Sequence, residues 1–195
     1  MQISKLTIVA WALLTAALVL TASCGGSLYK VKPVVQAPLA DGASGAEAGG
    51  IRVRAIPLLI DEEIQELFEA NLLLAGMLPV RTEITNNSGA AVDMKKAKFR
   101  LRDGDGHEWK VKSPMQSVAR ILKYYDVYLY NPHARLKFEE DFLKHGFDID
   151  TPLAQGEQRS GLIFFQTPKK EAVSSPHGLV LTIEKLPGNV EINVN

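Results

Sequence analysis

The chain has 195 residues, and its 22 basic and 22 acidic side chains give a formal net charge of +0. A balanced charge of this kind argues against a partner that is recognised by the whole protein through electrostatics, so we expect no nucleic-acid partner. The chain contains one cysteine, which excludes an internal disulfide. The folded part must therefore be stabilised by an apolar core.

A hydrophobic segment lies near the start of the chain. Residues 6–29 carry no charged side chain, and residues 6–20 are almost continuously apolar. Small residues then lead into the cysteine, in the order Thr21-Ala22-Ser23-Cys24-Gly25. This pattern predicts a secretory signal peptide over residues 1–23. An uncleaved membrane helix at the amino terminus is the alternative.

The end of this segment resembles the lipobox of bacterial lipoproteins, with Leu20 four places before Cys24 where the family usually has leucine three places before. The resemblance implies that Cys24 carries a diacylglyceryl group and, after cleavage, an acyl chain such as palmitate on its new amino terminus. Two acylated positions suffice for stable membrane anchoring. Gly25 follows Cys24, and by the same resemblance it favours the outer membrane, facing the periplasm.

The composition changes after Cys24. Residues 24–50 are rich in Gly, Ala, Ser and Pro, which predicts a flexible tether behind the lipidated cysteine. Residues 51–195 are long enough for one domain with its own core and too short for two. We therefore expect a signal peptide at 1–23, a tether at 24–50 and one domain at 51–195.

Short stretches of alternating apolar and polar residues follow one another through the domain, as in strands with one solvent-facing side. Two of them flank Asp103-Gly104-Asp105-Gly106 and predict a hairpin. Acidic residues at 61–63 predict a short helix before the second strand, with Gly76 as its left-handed C-cap. The predicted strands cover residues 51–55, 78–85, 97–102, 108–112, 160–166, 179–184 and 190–194.

These short strands with tight turns indicate a mainly β fold, and we expect a β-sandwich with a helical insertion. Residues 78–89, the Leu-Arg-Asp-Gly sequence at 101–104 and the apolar stretch 161–165 resemble the immunoglobulin-like modules of bacterial envelope lipoproteins. The resemblance implies an immunoglobulin-like antiparallel β-sandwich in the envelope. It implies no activity.

The helical insertion is predicted over residues 113–147. Ser113, Pro114 and Gln116 form a capping pattern that starts one helix, and Asn131-Pro132 starts a second one. The residues expected to pack inward are Met115, Val118, Leu122, Tyr125 and Leu129 from the first helix and Leu136, Phe138, Phe142 and Leu143 from the second. We expect this helical hairpin to lie over one end of the sandwich.

Patterns for catalysis or metal binding are weak in this chain. Its four histidines are widely spaced, and no phosphate loop, dinucleotide fingerprint or nucleophile elbow occurs. Asp103 and Asp105 are better explained by a turn than by calcium binding. We therefore expect no catalytic residue, no metal site and no cofactor, and no small-molecule substrate is evident.

Three functions remain open. The favoured one is a lipid-anchored bacterial envelope protein that acts as a non-catalytic binding or assembly module. A purely structural accessory domain is the alternative, and an enzyme whose site is not visible in the sequence is less favoured. The expected partners are the membrane, through the lipid, and another envelope protein.

Two candidate surfaces follow from the side-chain pattern. A basic stripe on the hairpin is a candidate for contact with anionic surfaces and consists of Lys98, Arg100, Arg102, Lys110 and Lys112. A tyrosine flank on the helical insertion is a candidate partner surface and consists of Tyr124, Tyr128 and Tyr130. The alternatives are a solvated stripe and tyrosines that pack onto the sandwich.

Replacing the cysteine tests the predicted anchor. We expect Cys24→Ala to abolish lipid labelling and cleavage of the signal peptide, because the family's peptidase acts on the lipidated cysteine. Labelling of cells with a radioactive fatty acid and electrophoretic mobility measure the two effects. Unchanged labelling and mobility in the variant would contradict the prediction.

Overall fold

This computed structural model describes residues 30–34, 39, 42–127 and 131–194. The strands among them are β1 (Ser44–Ala48), β2 (Ile51–Pro57), β3 (Met77–Asn86), β4 (Lys98–Arg102), β5 (Glu108–Lys112), β6 (Gln158–Gln166), β7 (Val180–Glu184) and β8 (Val190–Asn193). The α-helices are α1 (Asp61–Phe68), α2 (Pro114–Tyr124) and α3 (Pro132–Leu143). The predicted signal peptide and Cys24 lie outside the described residues.

The described strands form one antiparallel sheet in the order β1-β2-β3-β6-β5-β4-β7-β8. Its two edge strands come close together. A Cβ on Gly188, before β8, would lie 2.5 Å from the carbonyl carbon of Ala48 at the end of β1, so a side chain at Gly188 would collide with this backbone. The sheet is therefore nearly closed, like a barrel.

The prediction of a mainly β domain with a helical insertion and a short helix before the second predicted strand is confirmed. The finer prediction of an immunoglobulin-like sandwich is not clearly met, because hydrogen bonds join the described strands in one sheet rather than in two stacked sheets. The sheet also begins earlier than predicted. β1 lies within the segment 24–50 predicted as a tether, and its small side chains conceal the strand from a hydropathy pattern.

One face of the sheet forms the interior. Cross-strand pairs such as Val53–Ile84 and Leu101–Leu181 place buried apolar side chains from neighbouring strands on the same side. Burial alternates along β2, β7 and β8 with the predicted period of two. The apolar residues of these strands therefore face the interior, as the alternating sequence pattern predicts.

The second half of β6 differs because it is buried on both faces. The ring of Phe164 packs outward against the helices. It stacks on Phe142 of α3 with ring centroids 5.1 Å apart, and it lies 6.4 Å from Phe68 of α1. Phe68 and Phe142 are themselves 4.8 Å apart. This aromatic cluster of Phe68, Phe142 and Phe164 attaches two helices to the outer face of the sheet.

The helical insertion leaves and rejoins the sheet at one place. β5 ends beside Phe164, and after α3 the backbone of residues 145–147 pairs with Leu162 of β6. The two ends of the insertion touch, since a Cβ on Gly146 would lie 2.5 Å from Cγ of Pro114. α3 therefore packs on the outer face of β6, whereas the prediction placed the hairpin over one end of a sandwich.

The helices of the insertion start at the predicted capping residues. Ser113 Oγ accepts the N–H of Gln116, whose side chain accepts the N–H of Ser113 in return. Asn131 accepts N–H groups from the first turn of α3. The predicted end of α1 is wrong, because Glu69 takes the left-handed position at φ 50°. Gly76, at φ 73°, instead joins the following loop to β3.

Asn86 connects the end of β3 to a distant loop. Its side chain is fully buried, and Nδ2 donates to the carbonyl oxygens of Ala90, Leu153 and Ala154 at 2.7, 2.9 and 3.2 Å. Its Oδ1 accepts the N–H and the hydroxyl of Ser88. This one side chain therefore joins the turn predicted at residues 86–89 to the chain that precedes β6.

Asn86→Ala removes the hydrogen bonds of this fully buried side chain, so the three carbonyl groups each lose one donor and Ser88 loses its acceptor. We expect the free energy of unfolding to fall by about 2–3 kcal/mol. The neighbouring Asn87 is exposed, so Asn87→Ala should change this free energy by less than about 0.5 kcal/mol. Chemical denaturation of both variants measures the difference, and equal effects would show that Asn86 does not have this role.

Candidate binding groove

The groove lies where β4 and β5 separate. These strands pair with each other over two residue pairs, Leu101–Trp109 and Arg102–Glu108. On their other sides, β4 stays paired with β7 and β5 stays paired with β6 to the strand ends. The strands therefore diverge, and a cavity of about 870 Å³ opens between them. This volume lies in the range of about 300–1,000 Å³ that is usual for ligand pockets.

Four parts of the chain line the groove. β4 and its preceding residue contribute residues 97–100, and β5 with its junction to α2 contributes Glu108 and residues 111–116. The end of α3 and the loop after it contribute Leu143 and residues 146–150, and β6 contributes Leu162 and Ile163. The site therefore depends on the same junction at which the helical insertion leaves and rejoins the sheet.

Exposed apolar side chains are concentrated in this groove. Among the described residues, ten large apolar side chains are exposed, and four of them line it: Val111 (47% exposed), Met115 (40%), Leu143 (43%) and Ile149 (42%). Phe99 and Phe147 line it as well, with ring centroids 6.2 Å apart. A contiguous apolar surface with a polar rim is typical of a binding site.

The outer side of β4 and β5 carries the predicted basic stripe of Lys98, Arg100, Arg102, Lys110 and Lys112. Three of these residues, Lys98, Arg100 and Lys112, line the groove. Arg100 also contacts the carboxylates of Glu108 and Glu184 at 3.3 and 3.4 Å. The stripe is therefore divided by acidic neighbours and is not uniformly basic.

Two acidic side chains in the loop after α3 line the groove, and both have cationic partners. The Thr151 hydroxyl donates to Asp148 and holds the pKa of that carboxyl below its usual range, and Arg159, 3.9 Å away, acts in the same direction. Asp150 lies 3.6 Å from Lys95. The negative charges of this loop are therefore balanced locally.

Two lysines at the groove differ from the other charged groups around it. Within residues 42–127 and 131–194, Lys98 and Lys112 form no ion pair, whereas Arg100, Asp148 and Asp150 do. The start of α2 lies beside Lys112, and the positive end of the helix dipole adds to the potential there. The groove therefore carries excess positive charge at this side.

The predicted tyrosine flank is described in part. Tyr124 is exposed, and the rings of Tyr124 and Tyr125 meet edge to face at 5.0 Å. The Tyr125 hydroxyl donates to the carbonyl of Asn71 at 3.0 Å and accepts its N–H at 3.1 Å, and burial raises the pKa of Tyr125. Tyr128 and Tyr130 lie outside the described residues.

A second polar cluster lies in the hairpin turn, where ligand atoms of Asp103, Asp105 and His107 fall within 4.8 Å of one another. Asp103 accepts the N–H groups of Asp105 and His107 on Oδ1 and the indole N–H of Trp109 on Oδ2. Burial raises the pKa of Asp103, but these hydrogen bonds outweigh it, so the pKa lies below its usual value. Both oxygens of Asp103 therefore close the turn.

His145, at the end of the helical insertion, is buried beside the ring of Phe68. Its Nε2 lies 2.7 Å from the carbonyl oxygen of Lys32, and because a carbonyl can only accept, Nε2 carries the proton. Burial lowers the pKa of His145, and the hydrogen bond opposes this effect in part. The histidine therefore ties residues 30–34 to the insertion.

The apolar lining is the part of the groove that sequence patterns missed. The prediction that Met115, Leu136 and Leu143 pack into the core is wrong, because all three are exposed, and Met115 and Leu143 lie at the groove. α2 buries Val118 and Leu122 as predicted, together with Ser117 and Ile121, and Leu129 lies outside the described residues. Met115 lies at one edge of the same apolar stripe as Val118 and Leu122, within about 120° around the helix, so residue spacing alone does not show that its side chain is exposed.

In the part of the chain that the structure describes, no helix is long and apolar enough to cross a membrane. Comparison with known proteins gives no family model, curated protein or solved structure that matches this chain. The function must therefore be argued from the groove and from the amino-terminal sequence.

Proposed function

We propose that this protein is a lipid-anchored bacterial envelope protein that acts as a non-catalytic binding module, with the groove between β4 and β5 as its binding surface. The observation that carries the proposal is the groove itself, about 870 Å³ in volume, with four exposed apolar side chains and a charged rim. A purely structural accessory domain would gain nothing from this surface, because exposed apolar area promotes unspecific association.

The proposed location rests on the amino-terminal sequence. The apolar segment that ends at Cys24 supports export and a lipid anchor, and Gly25 supports the outer membrane, facing the periplasm. In this arrangement the lipid contacts the membrane and the groove takes the ligand. The tyrosine flank that begins at Tyr124 is proposed as a separate contact surface for another envelope protein.

The non-catalytic role is supported by the use of the polar groups at the groove. The Ser113 hydroxyl caps α2 by accepting the N–H of Gln116, so it already has a structural partner. The relation to immunoglobulin-like envelope modules also stays a proposal. It is supported by the antiparallel strands and by the hairpin of β4 and β5.

A charge placed in the groove tests the proposed binding surface. Ile149→Arg puts a cation into the apolar lining, and Leu136→Arg makes a similar apolar-to-cation change at a residue that is 55% exposed and outside the groove. Both positions are exposed, so we expect melting temperatures within about 2 °C of the wild type. Native mass spectrometry of the lipidated protein, extracted from its own membranes, detects bound ligand.

We expect wild type and Leu136→Arg to carry a bound species of defined mass, and Ile149→Arg to lose at least about nine tenths of it because a charge in an apolar site is costly to desolvate. A wild-type protein without a bound species would contradict the proposal. Equal retention of that species by both variants would show that it binds elsewhere.

A further inference from the structure

The groove has a gradient of polarity from its mouth to its depth. Because side chains alternate along a strand, Lys98 and Phe99 on β4 point to opposite faces, and so do Val111 and Lys112 on β5. The register shows that Val111 shares the interior face with Phe165, whereas Lys112 is on the outer face with Phe164. The outer rim of the groove therefore carries the lysines beside exposed apolar side chains, and its inner side is apolar.

The charges at the mouth favour an anion. Arg100 is engaged by Glu108 and Glu184, and the loop carboxylates Asp148 and Asp150 have their own cationic partners. Lys98 and Lys112 have no ion-pair partner within residues 42–127 and 131–194. Lys112 lies beside the start of α2, and two cations in one groove without an ion pair among the described residues are complementary to an anionic group.

We infer that the groove binds a long-chain carboxylate, with the alkyl chain in the apolar depth and the carboxylate between Lys98 and Lys112. This inference rests on the proposed function and names its ligand. An alkyl chain matches the lining of Phe99, Phe147 and Ile163, because it removes apolar surface from water and brings no polar group into the depth.

An extended peptide is the competing occupant. The edges of β4 and β5 are not paired with each other beyond Leu101–Trp109, so they could accept another strand. A peptide paired with one of these edges would still turn every other amide group away from it, toward the side chains of Phe99, Phe147 and Ile163, which offer no hydrogen bond. The apolar lining therefore favours the alkyl chain.

The test compares two probes that differ in their head group. Hexadecanoate and hexadecan-1-ol are titrated into the lipidated full-length mature protein in detergent micelles, and native mass spectrometry gives the bound fraction. The variants are Lys98→Gln with Lys112→Gln, the charge-preserving pair Lys98→Arg with Lys112→Arg, and the control Lys110→Gln, which is exposed on β5 outside the groove. The binding of each probe is expressed as a ratio between variant and wild type, so the fraction of probe taken up by the micelles cancels in that ratio.

We expect the double glutamine variant to weaken hexadecanoate binding about five-fold and to leave hexadecanol binding unchanged, because only the carboxylate contacts the lysines. The arginine pair should bind hexadecanoate like the wild type, and so should Lys110→Gln. A melting temperature within about 2 °C of the wild type shows that the variants are folded.

Two results would overturn the inference and leave the proposed function standing. One is an equal response of both probes to the lysine variants. The other is that an apolar peptide with an acidic end displaces both probes and binds more tightly than hexadecanoate does. In both cases Ile149→Arg still removes the bound species. If neither probe binds and Ile149→Arg changes nothing, the proposed function fails as well.

Discussion

The apolar run in β6 is the constraint on which the rest of the structure depends. The second half of this strand is buried on both faces, so each face needs its own apolar cover. Ile163 and Phe165 face the interior of the nearly closed sheet. Phe164 faces outward, and its cover comes from α1 and α3 through Phe68 and Phe142. The helices are therefore part of the core of this domain.

The way in which β6 is covered also explains where the groove lies. The helical insertion leaves at the end of β5, and residues 145–147 return to pair with Leu162 on the edge of β6 that a longer β5 would occupy. β5 is therefore short, and its pairing with β4 ends after Trp109 and Leu101. The helical insertion covers the outer face of β6 and also keeps β4 and β5 apart. The packing of the core and the position of the candidate site therefore both depend on this insertion.

The polarity of the groove follows from the period of the strands. Alternation places apolar residues inside and charged residues outside along β4 and β5, and this pattern is visible in the sequence. Where the strands are paired, the apolar side is sealed. Where they diverge, Phe99 and Val111 become reachable from the mouth, beside Lys98 and Lys112. The divergence of β4 and β5 therefore turns an amphipathic hairpin into a cavity with an apolar inner side and a charged rim.

The sequence by itself determined the local features: the helix starts at Ser113 and Asn131, the hairpin around Asp103, and the cationic residues that line the groove. Caps, turns and strand period depend on residues that are close along the chain, so they can be inferred from it. Only the tertiary structure decided that the strands form one nearly closed sheet and that Met115 and Leu143 line a groove instead of entering the core. These outcomes depend on contacts between segments that are distant in the sequence. A local pattern does not predict which apolar residues of a helix will be covered by the sheet.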